Sequence, residues 1–217
     1  MDGGLIDTAA RVDAPDDRRI FGVAPAQVIN NLDETNMGRV QLRLPWIPGF
    51  EPWARVSVPM AGDSSGTYFI PQVGDEVLVA FNQGDVREPF VIGSLWNGED
   101  NPPTQDPTAP VNTRMIHTPS GHEIAFNEDT GSISITSSTQ QKITIDPDKI
   151  ELTTADGTAV LTLETEGNIS MQSTVRIDLQ APTISIQGDV LEVTGQASAS
   201  IDGGGICEIQ GALVKIN

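Results

Sequence analysis

The feature that most restricts the fold of this chain is a short apolar–polar–apolar triplet that recurs through its second half. In KITIDPDKIELT, residues 142–153, two such triplets flank an Asp-Pro-Asp turn. Side chains alternate along a strand, so each triplet places two apolar residues on one face. A fixed short period of this kind indicates a stacked architecture. The last four intervals are 8, 8, 7 and 7 residues in the series that opens at Ile133, Ile143, Ile150, Leu161, Ile169, Ile177, Ile184 and Leu191.

Strands of three residues bury little apolar surface by themselves and leave backbone edges exposed. Three identical chains wound around one axis remove both difficulties, because each strand then pairs with strands of its neighbours. We therefore expect residues 116–217 to form an intertwined trimeric β-helix, a needle in which about eleven strands extend over roughly 50 Å. A single-chain β-solenoid and an ordinary β-sandwich are the alternatives.

Strand signals of another kind fill residues 21–98. The segments VAPAQVIN, GRVQLRLPWI, WARVSVPM, DEVLVAF and EPFVIGSLW alternate or run apolar between clusters of Gly, Pro, Asn and Asp. Five strands in about 75 residues predict a five-stranded OB-fold barrel. Within it, Val77, Val79 and Phe81 alternate toward one face, and residues 64–71 have room for one helical turn.

These segments divide the chain into four parts of an all-β protein. Residues 1–20 form a charged, irregular N-terminal docking arm, residues 21–98 the OB-fold domain, residues 99–115 a Pro-rich linker and residues 116–217 the β-helix spike. The composition changes after the linker, where Ile, Val, Thr, Ser and Gly dominate. Phe126 is the only aromatic residue after position 96.

The charge excludes a nucleic-acid partner. Acidic residues number 30 against 12 basic ones, which gives a formal net charge of -18. A phosphate backbone is bound by clustered Lys and Arg, whereas this chain has only three Lys and no basic run. An OB-fold nucleic-acid binder would also need basic and stacking residues on the barrel. The acidity favours solubility of a crowded assembly.

Two further sequence features bear on export and on cysteine chemistry. No apolar run approaches the roughly 18 residues of a membrane span, and the opening MDGGLIDTAARVDAPDDRR lacks the basic start and apolar core of a secretory signal. A single Cys, Cys207, excludes an internal disulfide framework. We expect Cys207 to be a small buried filler rather than a metal ligand on a three-fold axis.

Candidate catalytic groups are few. His117 and His122 lie five apart beside Glu123, and a structural turn at Pro119-Ser120-Gly121 is the favoured interpretation over a metal pair. Paired carboxylates can hydrolyse glycosides, but solvated turn positions are the expected role of Asp146, Asp148, Glu164, Glu166, Asp178 and Asp189. A trimeric polysaccharide-degrading tailspike therefore stays an alternative, and the scarcity of aromatics after residue 96 argues against it. Core or interface packing is predicted for Trp46, Trp53 and Trp96.

One long string carries a family resemblance. PQVGDEVLVAFNQGDVREPFVIGSLWNGEDNPP, residues 71–103, resembles the end of the OB domain in the central spikes of contractile tails. These are the baseplate assembly protein V group of phages and the valine-glycine repeat proteins of type VI secretion. The same resemblance extends to GRVQLRLPWI (38–47), WARVSVPMAG (53–62) and HTPSGHEIAFNEDTGSISI (117–135).

The resemblance implies a homotrimeric, non-enzymatic spike without a cofactor, which sheath contraction drives through the target envelope. The particle would be a phage tail baseplate, a tailocin or an extracellular injection particle, assembled in the cytoplasm of the producing cell. A separate hub protein above the OB domain is implied, with expected contacts at Leu5, Arg18, Arg19 and Ile20. A PAAR-type tip protein is expected at Leu213, Val214, Lys215, Ile216 and Asn217. The linker has no room for the lysozyme domain that some phage spikes carry.

Overall fold

The computed structural model describes residues 19–104, 106 and 108–215. Its first part is a closed barrel in the order β1-β2-β3-β7-β6, with a separate two-stranded hairpin, β4-β5. All neighbouring barrel strands are antiparallel except β3 and β7, which are parallel. The strand bounds are β1 Val23–Asn30, β2 Val40–Arg43, β3 Trp53–Val56, β4 Ala61–Gly62, β5 Ser65–Gly66, β6 Glu76–Asn82 and β7 Asp85–Leu95.

The barrel core follows from side-chain alternation. Val77, Val79 and Phe81 on β6 are 0%, 0% and 8% exposed, as the sequence predicts. Closure leaves these strands no free edge. The buried cluster also contains Ala26, Val28, Val40, Leu42, Leu44, Ala54, Val86 and Val91.

The second part is a seven-stranded antiparallel sheet in the order β14-β13-β12-β11-β10-β9-β8, here called the meander sheet. A four-residue helical turn, α1 (Ala109–Asn112), precedes it. The connections between its strands run from three residues (146–148) to five (118–122). The strands are β8 Thr113–His117, β9 Glu123–Asn127, β10 Ser132–Thr136, β11 Lys142–Ile145, β12 Lys149–Thr153, β13 Ala159–Glu164 and β14 Ile169–Ser173.

The predicted all-β class, with a five-stranded OB barrel followed by a β-rich region, is confirmed. The strand pairing differs from the expectation in one respect. The triplets that open at Ile133, Ile143, Ile150, Leu161 and Ile169 pair within the chain rather than between chains. Turns this short return each strand directly beside its predecessor. At the tightest one, Asp146 Oδ1 accepts the backbone N–H groups of Asp148 and Lys149, both at 2.9 Å.

Two local expectations for the barrel are corrected. Residues 64–71 do not form a helical turn, because Ser65 and Gly66 pair with Gly62 and Ala61 in the β4-β5 hairpin. Gly66 has φ of 153°, and a Cβ there would lie 2.6 Å from the Met60 carbonyl oxygen. Trp96 is not part of the barrel core, since it is 68% exposed in the single chain, and its packing at an interface stays a prediction.

A carboxylate fixes the loop between β1 and β2. Asp33 accepts the backbone N–H groups of Thr35, Met37 and Arg39 at 3.0–3.1 Å and the Arg39 guanidinium at 2.9 Å. The Asp33 side chain is only 4% exposed. The guanidinium in turn lies 5.5 Å from the ring centre of Trp53. The hydrogen bond from Arg39 is the largest cause that holds the pKa of Asp33 well below its ordinary 3.8.

We predict that Asp33→Asn makes the barrel less stable at neutral pH, and that this loss shrinks in acid. A carboxyl whose pKa is lowered in the folded state adds stability above its unfolded pKa and loses it as the pH falls. The difference between the urea midpoints of wild type and Asp33→Asn, followed by tryptophan fluorescence, should be smaller at about pH 3 than at about pH 7.

Asp85→Asn is the matched control for this prediction. The Arg87 side chain lowers the pKa of Asp85 to about 2, but the Arg87 and Asp85 side chains are 65% and 32% exposed. Exposed pairs contribute little because solvent screens them. Asp85→Asn should therefore shift the midpoint less at both pH values, and an equal shift for the two variants would contradict the prediction.

Candidate functional site

The candidate site is one face of the meander sheet. The strand registers align two rows of apolar side chains on this face, which we call the apolar face. The first row is Ile116, Ile124, Ile135, Ile143, Leu152, Leu161 and Met171; the second is Phe126, Ile133, Ile145, Ile150, Leu163 and Ile169. Across seven strands at about 4.8 Å spacing, the first row extends over roughly 29 Å.

The apolar face is uncovered in a single chain. Ile143, Ile135 and Ile169 are 37%, 45% and 70% exposed. Monomeric soluble proteins rarely leave a continuous apolar surface of this extent in water. A groove of about 850 Å³ runs along the first row, from Ile116 to Met171.

The opposite face is polar. Its central row is Met115, Ala125, Ser134, Thr144, Glu151, Thr162 and Ser170. On β10, Ser132, Ser134 and Thr136 are partly buried, whereas Ile133 and Ile135 between them are exposed. This reverses the usual order of burial, in which the apolar side chains of a strand are the more buried ones.

Residues 175–215 extend the same pattern with almost no backbone pairing within the chain. Among the described residues 175–215, the one backbone–backbone hydrogen bond joins Gly205 to Gly203, at 2.5 Å. Ile177 and Leu179 are 48% and 64% exposed, and Ile184 and Ile186 are 50% and 65% exposed. The backbone groups of this segment are thus largely without partners within the chain, and its apolar triplets are exposed.

The expected hub contacts are placed in part. Arg19 donates from its guanidinium to the Gln83 carbonyl at 3.1 Å, and the Ile20 N–H donates to the Gly84 carbonyl at 2.9 Å. The Ile20 side chain packs against the barrel core. Both residues therefore lie at the turn between β6 and β7. Leu5 and Arg18 fall outside the described residues.

This turn is at the barrel end remote from the meander sheet. At the other end of β6, Glu76 accepts a hydrogen bond from Asn97 at 3.1 Å. Glu76 and Trp96 also line a cleft whose other wall contains Met115 and His117 of β8. Arg19 and Ile20 therefore contact the barrel at the end opposite to the sheet.

The expected tip contacts are also placed in part. Leu213 and Val214 are 73% and 48% exposed, and Lys215 is exposed. Ile216 and Asn217 lie outside the described residues. Contact with a tip protein stays a prediction for all five residues.

The histidines have structural contacts. His117 Nδ1 lies 3.3 Å from Glu123 Oε2 across the β8-β9 hairpin. His122 lies in the connecting turn, where its Nδ1 accepts the backbone N–H of Ser138 at 3.1 Å. Cys207 is an exposed free thiol in the single chain. Across the described part of the chain, no group of three or more His, Cys, Asp or Glu side chains is arranged to hold a metal ion.

The geometry defines an OB-type barrel joined to a β-meander with an uncovered apolar face. Comparison with known proteins identifies the barrel. The family model described as the type VI secretion system and phage-baseplate injector OB domain matches residues 24–96. These residues, about a third of the chain, therefore match the OB domain of that injector family, and the resemblance noted in the sequence is confirmed.

Relatives carry spike-protein names. The chain is 31% identical over 110 residues to the type VI secretion system spike protein VgrG3 of Vibrio cholerae, a match that covers 46% of this chain and 11% of the relative. It is 36% identical over 78 residues to spike protein VgrG1a of Pseudomonas aeruginosa, covering 35% and 12%. A third relative, 34% identical over 97 residues and covering 42% and 9%, is named actin cross-linking toxin VgrG1 of Vibrio cholerae.

The chain thus spans about a tenth of the length of these relatives, with matched shares of 11%, 12% and 9%. The first two names describe spike components, which fits a structural role for the matched domain. None of the helical segments that the structure describes could cross a membrane.

We predict that Gly84→Ala loosens the attachment of Arg19 and Ile20 to the barrel. Gly84 has φ of 85°, and a Cβ there would lie 2.9 Å from Arg19 Cβ and 3.2 Å from the Ile20 nitrogen. Limited trypsin digestion should cleave after Arg19 faster than in wild type, with the cleavage site read by mass spectrometry.

Gly74→Ala is the control for the backbone strain alone. Gly74 also has a positive φ, 107°, but a Cβ there would meet nothing within 4 Å. Both variants should lose some barrel stability, because positive φ disfavours residues with a Cβ. Equal cleavage rates after Arg19 in the two variants would contradict the contact of Arg19 and Ile20 with the barrel at Gly84.

Proposed function

We propose that this chain is the structural, membrane-piercing central spike of a contractile injection system and that it acts as a homotrimer. The carrying observation is the apolar face of the meander sheet, uncovered in one chain and attached directly to an injector OB domain. Burial of apolar surface contributes about 25 cal/mol per Å², so covering both rows drives association. The spike names of the relatives support the same role.

Three copies suit the shape of the sheet. The strands are four to six residues long, so each sheet is a narrow ribbon with two apolar rows on one face and polar residues on the other. Three such ribbons around one axis turn every apolar face inward and every polar face toward water. The cyclic arrangement closes on itself and leaves no unpaired copy.

The segment 174–215 supports an intertwined continuation. Its backbone groups and apolar triplets have few partners within the chain, and strands from two other copies supply hydrogen bonds on both edges. Ordering these residues costs about 1–2 kcal/mol each in backbone entropy, which association offsets. The resulting needle is stiff because unwinding it requires many inter-chain strand pairs to break at the same time.

The remaining parts follow from this assembly. The arm leaves the barrel at the end remote from the sheet, so we place a separate hub protein there, in contact with Leu5, Arg18, Arg19 and Ile20. We place a PAAR-type tip protein at Leu213, Val214, Lys215, Ile216 and Asn217. Sheath contraction supplies the work, so the spike itself needs stiffness and no catalytic site. The particle is assembled in the producing cell and acts outside it.

The first test is the absolute mass in solution. Light scattering should give about three times 23.1 kDa, and this mass should persist in detergent at room temperature. Ile143→Asp places a charge on the apolar face, so the mass should fall to that of the monomer.

The neighbouring residue provides the control. Thr144 follows Ile143 on β11 and lies on the opposite, polar face. Thr144→Asp should leave the trimer intact. A monomeric wild type, or equal dissociation of Ile143→Asp and Thr144→Asp, would contradict the proposed homotrimer.

The tip assignment has its own test. Deletion of residues 213–217 should abolish binding of a PAAR-type protein in a pull-down, whereas Thr144→Asp should retain it. The truncated chain should keep the trimer mass, because the apolar face on β8–β14 is intact. Retained binding after truncation would move the tip contact elsewhere on the chain.

A further inference from the structure

One exposed aromatic of the barrel lies beside the apolar face. Phe69 is in the segment between β5 and β6, and its side chain is 61% exposed. It lines the groove of the apolar face together with Ile116 and Ile124 of β8 and β9. It also lines the cleft between barrel and sheet, together with Trp96 and Met115. Phe69 therefore stands at the barrel end of the first apolar row.

The segment that carries Phe69 is fixed to the barrel on both sides. Ile70 packs against the barrel core, and the Pro71 carbonyl accepts a hydrogen bond from Asn31 Nδ2 at 3.1 Å. The Thr67 N–H donates to the Met60 carbonyl at 2.9 Å. A backbone held at these points fixes where the Phe69 side chain begins, so little backbone freedom remains to be lost when the ring is covered.

The neighbouring aromatic points elsewhere. Tyr68 is 81% exposed, and its ring lies 3.9 Å from the position that a Cβ would take at Gly38. Tyr68 lines a separate small pocket with Leu32 and Glu34 of the β1-β2 loop. It lines neither the groove nor the cleft that Phe69 borders. Two adjacent aromatic residues thus differ in their relation to the apolar face.

We propose that Phe69 closes the barrel end of the apolar core that the meander sheet forms with a second copy of this chain. This inference rests on the proposed function, since the core is incomplete until another copy covers the apolar face. A second copy is the occupant because the ring adjoins the first row of that interface without a break. The ring is then enclosed between its own strands β8 and β9 and the neighbouring copy.

The consequence is a second link between barrel and sheet. Residues 96–112 connect the two parts covalently, and the Phe69 contact connects them by packing. Removal of the ring should open the core to water at β8 and β9 while the rest of the meander sheet stays covered.

Hydrogen exchange on the full-length protein tests this. In Phe69→Ala, the amides of Thr113–Asn127 should exchange about tenfold or more faster than in wild type. The amides of Glu76–Asn82 in the barrel and of Lys149–Thr153 farther along the sheet should be unchanged. Tyr68→Ala should match wild type throughout, and Phe69→Leu, which keeps an apolar side chain, should restore most of the protection.

The outcomes separate this inference from the proposed function. A trimer mass in all variants with unchanged exchange in Phe69→Ala would overturn the role of Phe69 and leave the spike proposal standing. Equal acceleration in Tyr68→Ala and Phe69→Ala would also overturn it, because the effect would then belong to the loop. A monomeric wild type by light scattering would remove the proposed function and this inference with it.

Discussion

The uncovered apolar face of the meander sheet is the constraint on which the rest of this molecule depends. Its first row is continuous across seven strands, and no element of the described chain packs over it. A single chain therefore cannot satisfy its own hydrophobic pattern, although its strands are paired within the sheet. The same pattern continues beyond Ser173, where even the strand pairing is missing. Apolar burial and backbone pairing within the chain thus decrease along the sequence. Both are complete in the closed barrel, the sheet has pairing without apolar cover, and the segment after Ser173 has little of either.

The barrel is the opposite case. Its five strands close on themselves, its buried side chains are apolar, and the described barrel leaves no buried side-chain nitrogen or oxygen without a partner. The Asp33–Arg39 pair fixes the loop between β1 and β2 with hydrogen bonds from within that loop. The barrel can therefore fold before association, and it presents the sheet, the arm and Phe69 from a rigid body. The match of the injector OB-domain model, which covers residues 24–96, coincides with this barrel.

Alternation was the part of the structure that the sequence could predict. The alternation of buried and exposed side chains along β6 follows from the two-residue period of a strand, and so does the face on which each triplet places its apolar residues. Neither depends on which strands lie alongside. The partner of each strand could not be predicted in this way. An Ile-Thr-Ile triplet can pair equally well with a strand of its own chain or of another chain. The short turns from β9 to β14 favour pairing within the same chain. The contact of Arg39 with the Trp53 ring and the position of Phe69 beside the groove depend on separate segments coming together, which no local spacing reveals.

The proposed trimer couples folding to assembly, and only for part of the length of the chain. Ordering residues 174–215 has a conformational cost of about 1–2 kcal/mol for each residue, and the single chain offers few bonds in return. Association supplies strand partners on both edges and covers the apolar side chains at the same time. The entropy cost of ordering the segment is therefore offset cooperatively, in a single step. The net charge of -18 on each chain opposes premature contact between copies. In the proposed trimer, burial of the apolar faces offsets this repulsion. In the proposed spike, this route leaves no stable, partly wound form, which suits an object that must be either complete or absent from the particle.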